Sequence, residues 1–327
     1  MRADACPSVA VVLCTHNGVR FLDAQLASLR AQSRHPDEYV LSDDASTDGT
    51  WERLQAFAAA AMTAGRRVVL HRNPSALGYV RHFEQALQRA TAEVLFPCDQ
   101  DDVWHADKLA RMVAEFARRP GLQVLHADAR LVDAEGRDLG RSLFDVLGVT
   151  PAERVAMHAG RGFDVLLRRN IVTGAAMALR RGVVAMAQPF PAEWAHDEWM
   201  AMLAAMHGDV DTLDGAVIDY RQHGGNQIGV RERGTLAKTF GIDGARPQFM
   251  ARMAARLQVL ADRADAAGNP VVAASVRERL AHARVRASLP PGFPARVPRV
   301  WREWRTGRYG RFGSGWRSAL VDALGVR

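Results

Sequence analysis

From Val9 to Cys14 the chain is uninterruptedly apolar and partly β-branched, and the run stops at the turn cluster Thr15-His16-Asn17-Gly18. A short apolar run bounded by turn residues predicts a strand covered on both faces. Phe21, Leu22, Gln25, Leu26 and Leu29 then recur at helical spacing, and Glu38 to Ser42 is a second short apolar run closed by acidic and small residues. The alternation continues with a helix over 51–64, a strand over 68–70, a helix over 79–90, a strand over 93–96, a helix over 106–118 and a strand over 124–131. Strand and helix repeating about every 30 residues predict a parallel sheet with helices on both faces, because parallel neighbours need a crossover between them.

Beyond the turn Asp133-Ala134-Glu135-Gly136 the pattern loosens. A strand over 174–179, a helix over 195–206 and short strands over 209–213 and 216–220 lead to the loop His223-Gly224-Gly225-Asn226. From 245 to 287 the chain is Ala/Arg-rich and helical, and a Pro-punctuated segment precedes the tail Trp301-Arg302-Glu303-Trp304. These shifts divide the chain into an α/β domain over 1–230 and a mainly helical basic extension over 231–327.

Charge sharpens that division. The formal net charge of +7 is made of 24 basic against 29 acidic residues over 1–230, and 19 against 7 over 231–327. A basic tail suits an anionic partner. Trp301, Trp304, Tyr309, Phe312 and Trp316 interleave there with Arg302, Arg305, Arg308, Arg311 and Arg317. That composition fits either a segment lying at the inner face of the plasma membrane or aromatics packed on the protein with solvated arginines. The remaining composition is globular and excludes disordered, collagen-like and disulfide-scaffold proteins. Three scattered cysteines, Cys6, Cys14 and Cys98, read as reduced buried thiols. With no cleavable leader pattern and no apolar run of membrane-spanning length, the expected location is the cytoplasm. No nucleic-acid partner is expected.

Ligands of open α/β sheets bind beyond the carboxyl ends of the strands, and the unusual polar residues stand there. Asp99-Gln100-Asp101-Asp102 follows an apolar strand directly, and clustered hard carboxylates suit Mg²⁺ or Mn²⁺ that also holds phosphate oxygens. A solvated acidic turn is the competing reading. Asp44, Ser46, Asp48 and Gly49 imitate the start of a calcium loop, but the twelfth position is Gln55 and a strand precedes it, so calcium is rejected. Asp44 can instead accept the N–H of a pyrimidine base or a ribose hydroxyl, or merely shape the turn. Asp197, in His196-Asp197-Glu198-Trp199, either caps a helix or deprotonates a hydroxyl as general base. Arg221 and His223 can bind phosphate oxygens, and His223 can complete a metal shell or be purely structural.

Five ordered motifs then carry a resemblance. The strand ending in Thr15-His16-Asn17, the block Asp43-Asp44-Ala45-Ser46-Thr47-Asp48-Gly49-Thr50, Asp99-Gln100-Asp101-Asp102-Val103-Trp104 with Lys108, His196-Asp197-Glu198-Trp199 and Tyr220-Arg221-Gln222-His223 together resemble glycosyltransferase family 2 over residues 8–230. Their exact form is similar to the rhamnosyltransferase-like branch of cell-surface polysaccharide synthesis. The resemblance implies a GT-A fold, that is, a Rossmann-like mixed sheet with helices on both faces. It also implies an inverting transfer from a nucleoside diphosphate sugar, with dTDP-rhamnose the candidate, onto a glycan or lipid-linked acceptor. Carried over residue by residue, Thr15, Asn17, Asp43, Asp44 and Asp99 line the nucleotide, and Asp101, with Asp99 and His223, holds Mg²⁺ or Mn²⁺. Asp197 is the catalytic base, while Gly174, Arg221 and Asp102 lie on the phosphate or acceptor side.

Two departures stand out. Ala45 replaces a frequent Gly, and His196 replaces a frequent Glu. No Gln-x-x-Arg-Trp block of processive synthases is present, which implies transfer of one or a few sugars. Two rival enzyme classes share parts of this pattern. A haloacid dehalogenase-type phosphohydrolase also uses strand-Asp-x-Asp, but on its first strand, and a sugar-nucleotide nucleotidyltransferase needs a Gly-rich basic loop where Thr15 to Arg20 stand.

Overall fold

The computed structural model describes residues 6–224 and 246–325. Gly225, Asn226 and the expected domain boundary at 230 lie outside them. By their internal contacts the described residues form two units, one of 6–163 with 171–224 and the other of 164–170 with 246–325.

The first unit opens with strands β1 (Val9–Thr15), β2 (Glu38–Asp43), β3 (Arg67–Arg72) and β4 (Val94–Cys98), separated by helices α1 (Val19–Arg30), α2 (Thr50–Thr63) and α3 (Tyr79–Arg89). All four strands are parallel, in the order β3-β2-β1-β4. Every residue of β1, β2 and β4 is buried, as their continuous apolar runs require of strands covered on both faces. Leu22, Leu26 and Leu29 turn one face of α1 into this core. The register sets Thr15 beside Asp43, Asp43 beside Arg72 and Leu13 beside Cys98, so the carboxyl ends of all four strands reach one edge.

The second half of the sheet is mixed. It holds β5 (Val103–Trp104), β6 (Leu122–Val132), β7 (Asp138–Ser142), β8 (Met177–Arg180) and β9 (Asp209–Arg221), with α4 (Lys108–Arg118), α5 (Leu143–Leu147) and α6 (Pro151–His158) between them, then α7 (Gly162–Arg168), whose residues from Asp164 onward belong to the second unit, and α8 (Arg181–Ala187) and α9 (His196–His207). Strand β8 runs antiparallel to both β4 and β6, which reverses the sheet after its parallel half. The two short strands expected over 209–220 form a single strand. Its alignment with β6 shifts around Asp128, and Gly215 takes φ +82° in the intervening turn of chain. The strand expected over 174–179 begins only at Met177, because Gly174–Ala176 makes a tight 3₁₀ turn. Cys14 and Cys98 are buried as expected, but Cys6 is exposed.

The second unit contains α10 (Arg246–Ala266), α11 (Pro270–Ala287), α12 (Phe293–Trp304), α13 (Arg308–Phe312) and α14 (Trp316–Leu324). Its interior is partly ionic. His282 Nδ1 lies 2.7 Å from Glu303, Arg286 Nε donates to Asp322 at 2.7 Å, and the Tyr309 hydroxyl donates to the same carboxylate at 2.8 Å. No described helix is long and apolar enough to cross a membrane.

Candidate active site

The site is built on the strand ends of the first unit. At the end of β1, Thr15 Oγ1 donates to Asp43 Oδ1 at 3.0 Å, and Asp43 also accepts the Ser46 N–H at 2.9 Å. Asn17 takes the left-handed conformation, its N–H donates to Ser46 Oγ at 2.8 Å and its Oδ1 accepts the Thr47 N–H at 2.9 Å. These bonds fuse the β1 and β2 ends into one ledge. Ala45 lies on this ledge at φ +58°, where a side chain meets backbone and a glycine is relaxed. The Gly-to-Ala departure therefore costs about 1 kcal/mol in local strain and is not purely cosmetic.

Asp44 is buried and turns toward the loop after β3. Its carboxylate accepts Asn73 Nδ2 at 2.8 Å, Leu77 N–H at 2.9 Å and Gly78 N–H at 3.0 Å. Burial opposes its charge, yet these bonds win and hold its pKa below the ordinary value. Its backbone carbonyl meets His16 Nδ1 at 2.6 Å. Gln100, which carried no role in the linear motif, then joins this ledge to β4. The His16 N–H donates to Gln100 Oε1 at 2.9 Å and Gln100 Nε2 donates to the His16 carbonyl at 3.0 Å.

That clip depends on Gly18. A Cβ there would stand 2.0 Å from Gln100 Oε1 and 2.2 Å from its Cδ, so the side chain must swing out. Gly18→Ala is expected to cost about 1 to 2 kcal/mol, the worth of two hydrogen bonds, in urea unfolding. In a Gln100→Ala background the same substitution should cost almost nothing more, because the clash partner is gone. Additive losses would mean that Gly18 acts through something else.

At the β4 end four carboxylates gather. Burial pushes Asp99 up to about 7, reinforced by the neighbouring charges of Asp101 and Asp197 and opposed by Lys108. Asp102 is 1% exposed. Its Oδ1 accepts the Arg221 N–H at 3.1 Å, whereas Oδ2 has no partner among the described residues. Burial first, then Asp101 and Asp99, raises its pKa well above the carboxylate range. Asp101 Oδ2 meets His223 Nε2 at 2.8 Å, and the His223 ring packs on Phe21 with 4.5 Å between centroids. Tyr220, also without a predicted role, feels the charge of all four. Burial raises its hydroxyl pKa, and the charges of Asp102, Asp99, Asp101 and Asp197 add to the effect. Arg221 is largely spent on backbone, its Nε donating to the Asp101 carbonyl at 2.9 Å and Nη1 to the Ala134 carbonyl at 2.9 Å. It fixes the loop that carries Asp101.

Asp197 arrives from the far half of the sheet, in the first turn of α9. Its Oδ2 accepts the Gly174 N–H at 2.7 Å, an approach that a side chain would crowd, since a Cβ on Gly174 would sit 3.3 Å from Asp197 and 3.1 Å from His196 Nε2. His196 stacks on Phe83 at 4.1 Å between centroids, with both ring nitrogens buried and unpartnered among the described residues. Burial lowers its pKa, so it is neutral at pH 7. Lys108 supports the same segment from below. It is fully buried, donates from Nζ to the Ala175 carbonyl at 2.7 Å and lies 3.4 Å from the centroid of Trp104. Burial pulls it down to about 7, against the pull of Cys98, Asp102 and Asp99.

The structure thus links Asp99, Asp101, Asp102, Asp197, Gly174, Arg221 and His223 in one acidic cluster, and Thr15, Asn17, Asp43 and Asp44 in the adjoining ledge. Cys14, which feels the charge of both Asp99 and Asp44, marks the seam between them. Among the described residues no three His, Cys, Asp or Glu side chains form a group ready to hold a metal ion. The donors nevertheless fit a hard divalent cation. Asp101 and His223 offer an oxygen and a nitrogen side by side, a buried carboxylate oxygen of Asp102 lacks a partner among the described residues, and such ions keep positions for phosphate oxygens and water.

The mixed sheet with helices on both faces and acidic side chains at its strand ends has the GT-A fold. The same architecture is found in the S. aureus protein TarS, residues 1–349, solved with UDP-GlcNAc, at a TM-score of 0.58 and 18% identity over 97% of this chain and 80% of that one. A mannosyltransferase from Pyrobaculum calidifontis, solved with GDP-Man and Mn²⁺, gives 0.52 and 20% over 98% of this chain and 86% of that one. A protein of Nostoc sp. (strain PCC 7120) named as an uncharacterized glycosyltransferase is 26% identical over 225 residues, 67% of this chain and 66% of the relative. Residues 10–179 match the model of glycosyl transferase family 2, and the chain belongs to that family. It spans 59% to 66% of the length of the first curated relatives it matches.

Proposed function

We propose that the protein is an inverting, metal-dependent, non-processive glycosyltransferase. It moves one sugar from a nucleoside diphosphate sugar, with dTDP-rhamnose the first donor to try, to a hydroxyl of a cell-surface glycan or lipid-linked acceptor. The observation that carries this reading is the acidic cluster in which Asp101 pairs with His223, Asp102 accepts the Arg221 N–H and Asp197 accepts the Gly174 N–H, with the charges of Asp101 and Asp197 both acting on Asp99. Such an acidic cluster would repel a diphosphate unless a cation came with it, and Asp197 would then be the carboxylate that takes the proton of an attacking alcohol. Relatives of the same fold solved with UDP-GlcNAc, and with GDP-Man and Mn²⁺, support the donor class.

Thr15, Asn17, Asp43 and Asp44 would shape the nucleotide pocket, with Asp99 toward the ribose. Asp101 and His223 would hold Mg²⁺ or Mn²⁺, with Asp102 on the phosphate side. The cation would offset charge building on the departing diphosphate. Asp197 Oδ2 keeps a second lone pair beside its bond from Gly174, so it can accept the acceptor's proton as the hydroxyl attacks the anomeric carbon. Attack from the face opposite the leaving group inverts that carbon.

Thermal unfolding with UDP, dTDP and GDP sugars, each with and without Mn²⁺, tests the reading. A donor present at about 100 times its Kd adds about 2.7 kcal/mol to stability. The melting point should therefore rise by several degrees for one nucleotide class, and only when the metal is present. Failure of every nucleotide sugar to shift the transition, with Mn²⁺ present, would overturn the donor class.

A further inference from the structure

The aromatic residues of the basic tail divide into two sets in the folded chain. Tyr309 and Phe312 are buried against His282, whose ring stands 4.9 Å and 6.1 Å from theirs. The tryptophans do the opposite. Trp301 is 60% exposed and Trp316 61% exposed, with Trp304 and Phe293 also open to solvent.

These exposed residues form lines. Phe293, Val297, Trp301 and Trp304 follow i, i+4, i+8 and i+11 along α12, and Trp316, Leu320 and Leu324 follow i, i+4 and i+8 along α14. Each spacing keeps its members on one face of a helix. The two helices are bound together, Arg296 on α12 donating from Nη1 to the Asp322 carbonyl of α14 at 3.0 Å. Their buried faces carry Val300, Glu303, Ala319, Val321 and Asp322, so the exposed apolar lines are additional to the side that forms the core.

Charge surrounds the lines. Residues 293–325 contain seven arginines and two acids, and both acids are buried in ion pairs, Glu303 with His282 and Asp322 with Arg286. Among the described residues Arg302, Arg305 and Arg317 make no ion pair and are exposed. An exposed surface of Trp, Phe, Leu and Val rimmed by uncompensated arginine matches a bilayer interface, where indole rings sit at headgroup depth and cations meet anionic lipid.

We propose that α12 and α14 form a docking face for an anionic phospholipid surface, with Trp301 and Trp316 entering the interface and Arg302, Arg305 and Arg317 contacting headgroup phosphates. A second copy of the chain is a poorer occupant, because a self-complementary contact would set this unpaired positive charge near its own like. Nucleic acid is poorer too. It would satisfy the arginines and could stack on tryptophan, but it offers nothing to Val297, Leu320 and Leu324.

Flotation of the full chain with phosphatidylcholine vesicles, with and without 30 mol% phosphatidylglycerol, tests this. Wild type should partition at least tenfold more strongly to the anionic vesicles, and less so at high salt. Arg302→Gln, Arg305→Gln and Arg317→Gln together should remove that preference, while Trp301→Glu with Trp316→Glu should lower partitioning to both vesicle types at least tenfold. The substituted side chains are exposed, and an unchanged melting point will confirm an intact fold. As a second readout, brominated lipid should quench tryptophan fluorescence in wild type and much less in the Trp301→Phe, Trp316→Phe variant. Equal partitioning of wild type and variants would overturn the proposal. So would a dimer in light scattering that the tryptophan substitutions dissociate without any vesicle binding, or binding to a single-stranded oligonucleotide in preference to vesicles.

Discussion

Asp197→Asn is expected to lower turnover by about 10²- to 10⁴-fold, the usual worth of a positioned general base, while Mn²⁺-dependent donor affinity stays within about twofold. The substitution keeps size and removes charge. Asp197 accepts the Gly174 N–H on Oδ2 and the Glu198 N–H on Oδ1, and an asparagine can still accept one of these through its carbonyl. The helix end is therefore disturbed far less than the proton transfer. Steady-state kinetics beside titration calorimetry separates the two effects. Transfer at near wild-type rate would remove the base assignment, and lost donor binding would move Asp197 from the chemistry to the donor pocket.

Asp101→Ala should show the reverse pattern. Donor affinity in Mn²⁺ is expected to fall about 10- to 100-fold, and the difference between titrations with and without Mn²⁺ should nearly vanish. His223→Ala should shift affinity in the same direction by less, since the two side chains form a pair 2.8 Å apart and the carboxylate carries the charge. A donor titration of Asp101→Ala that keeps its full response to Mn²⁺ would show that the cation is held elsewhere.

The parallel half of the fold was legible because its strands are short apolar runs ending in turn residues, and burial on both faces leaves that mark in any sequence. Local signals in the other half were overlooked rather than missing. Thr150-Pro151-Ala152-Glu153 makes a capping box at the start of α6, and Ser142 with Asp145 does the same for α5. The candidate site was legible as residue types in order along the chain. Gln100 and Tyr220 stood inside the quoted motifs, but nothing in a linear pattern says that one amide clips two strand ends or that one phenol feels the charge of four carboxylates.

By itself, then, the sequence determined which residues bear charge at strand ends, the identity of the family and the basic character of the tail, because these depend on composition and short-range spacing. Tertiary structure alone decided the reversal of the sheet at β8 and the approach of Asp197 to the Asp99 cluster across nearly a hundred residues of chain. It also decided the burial of Asp102 and Lys108, and the sorting of tail aromatics into core and surface. Those outcomes depend on which distant segments exclude water from each other, and that information is spread over the whole chain.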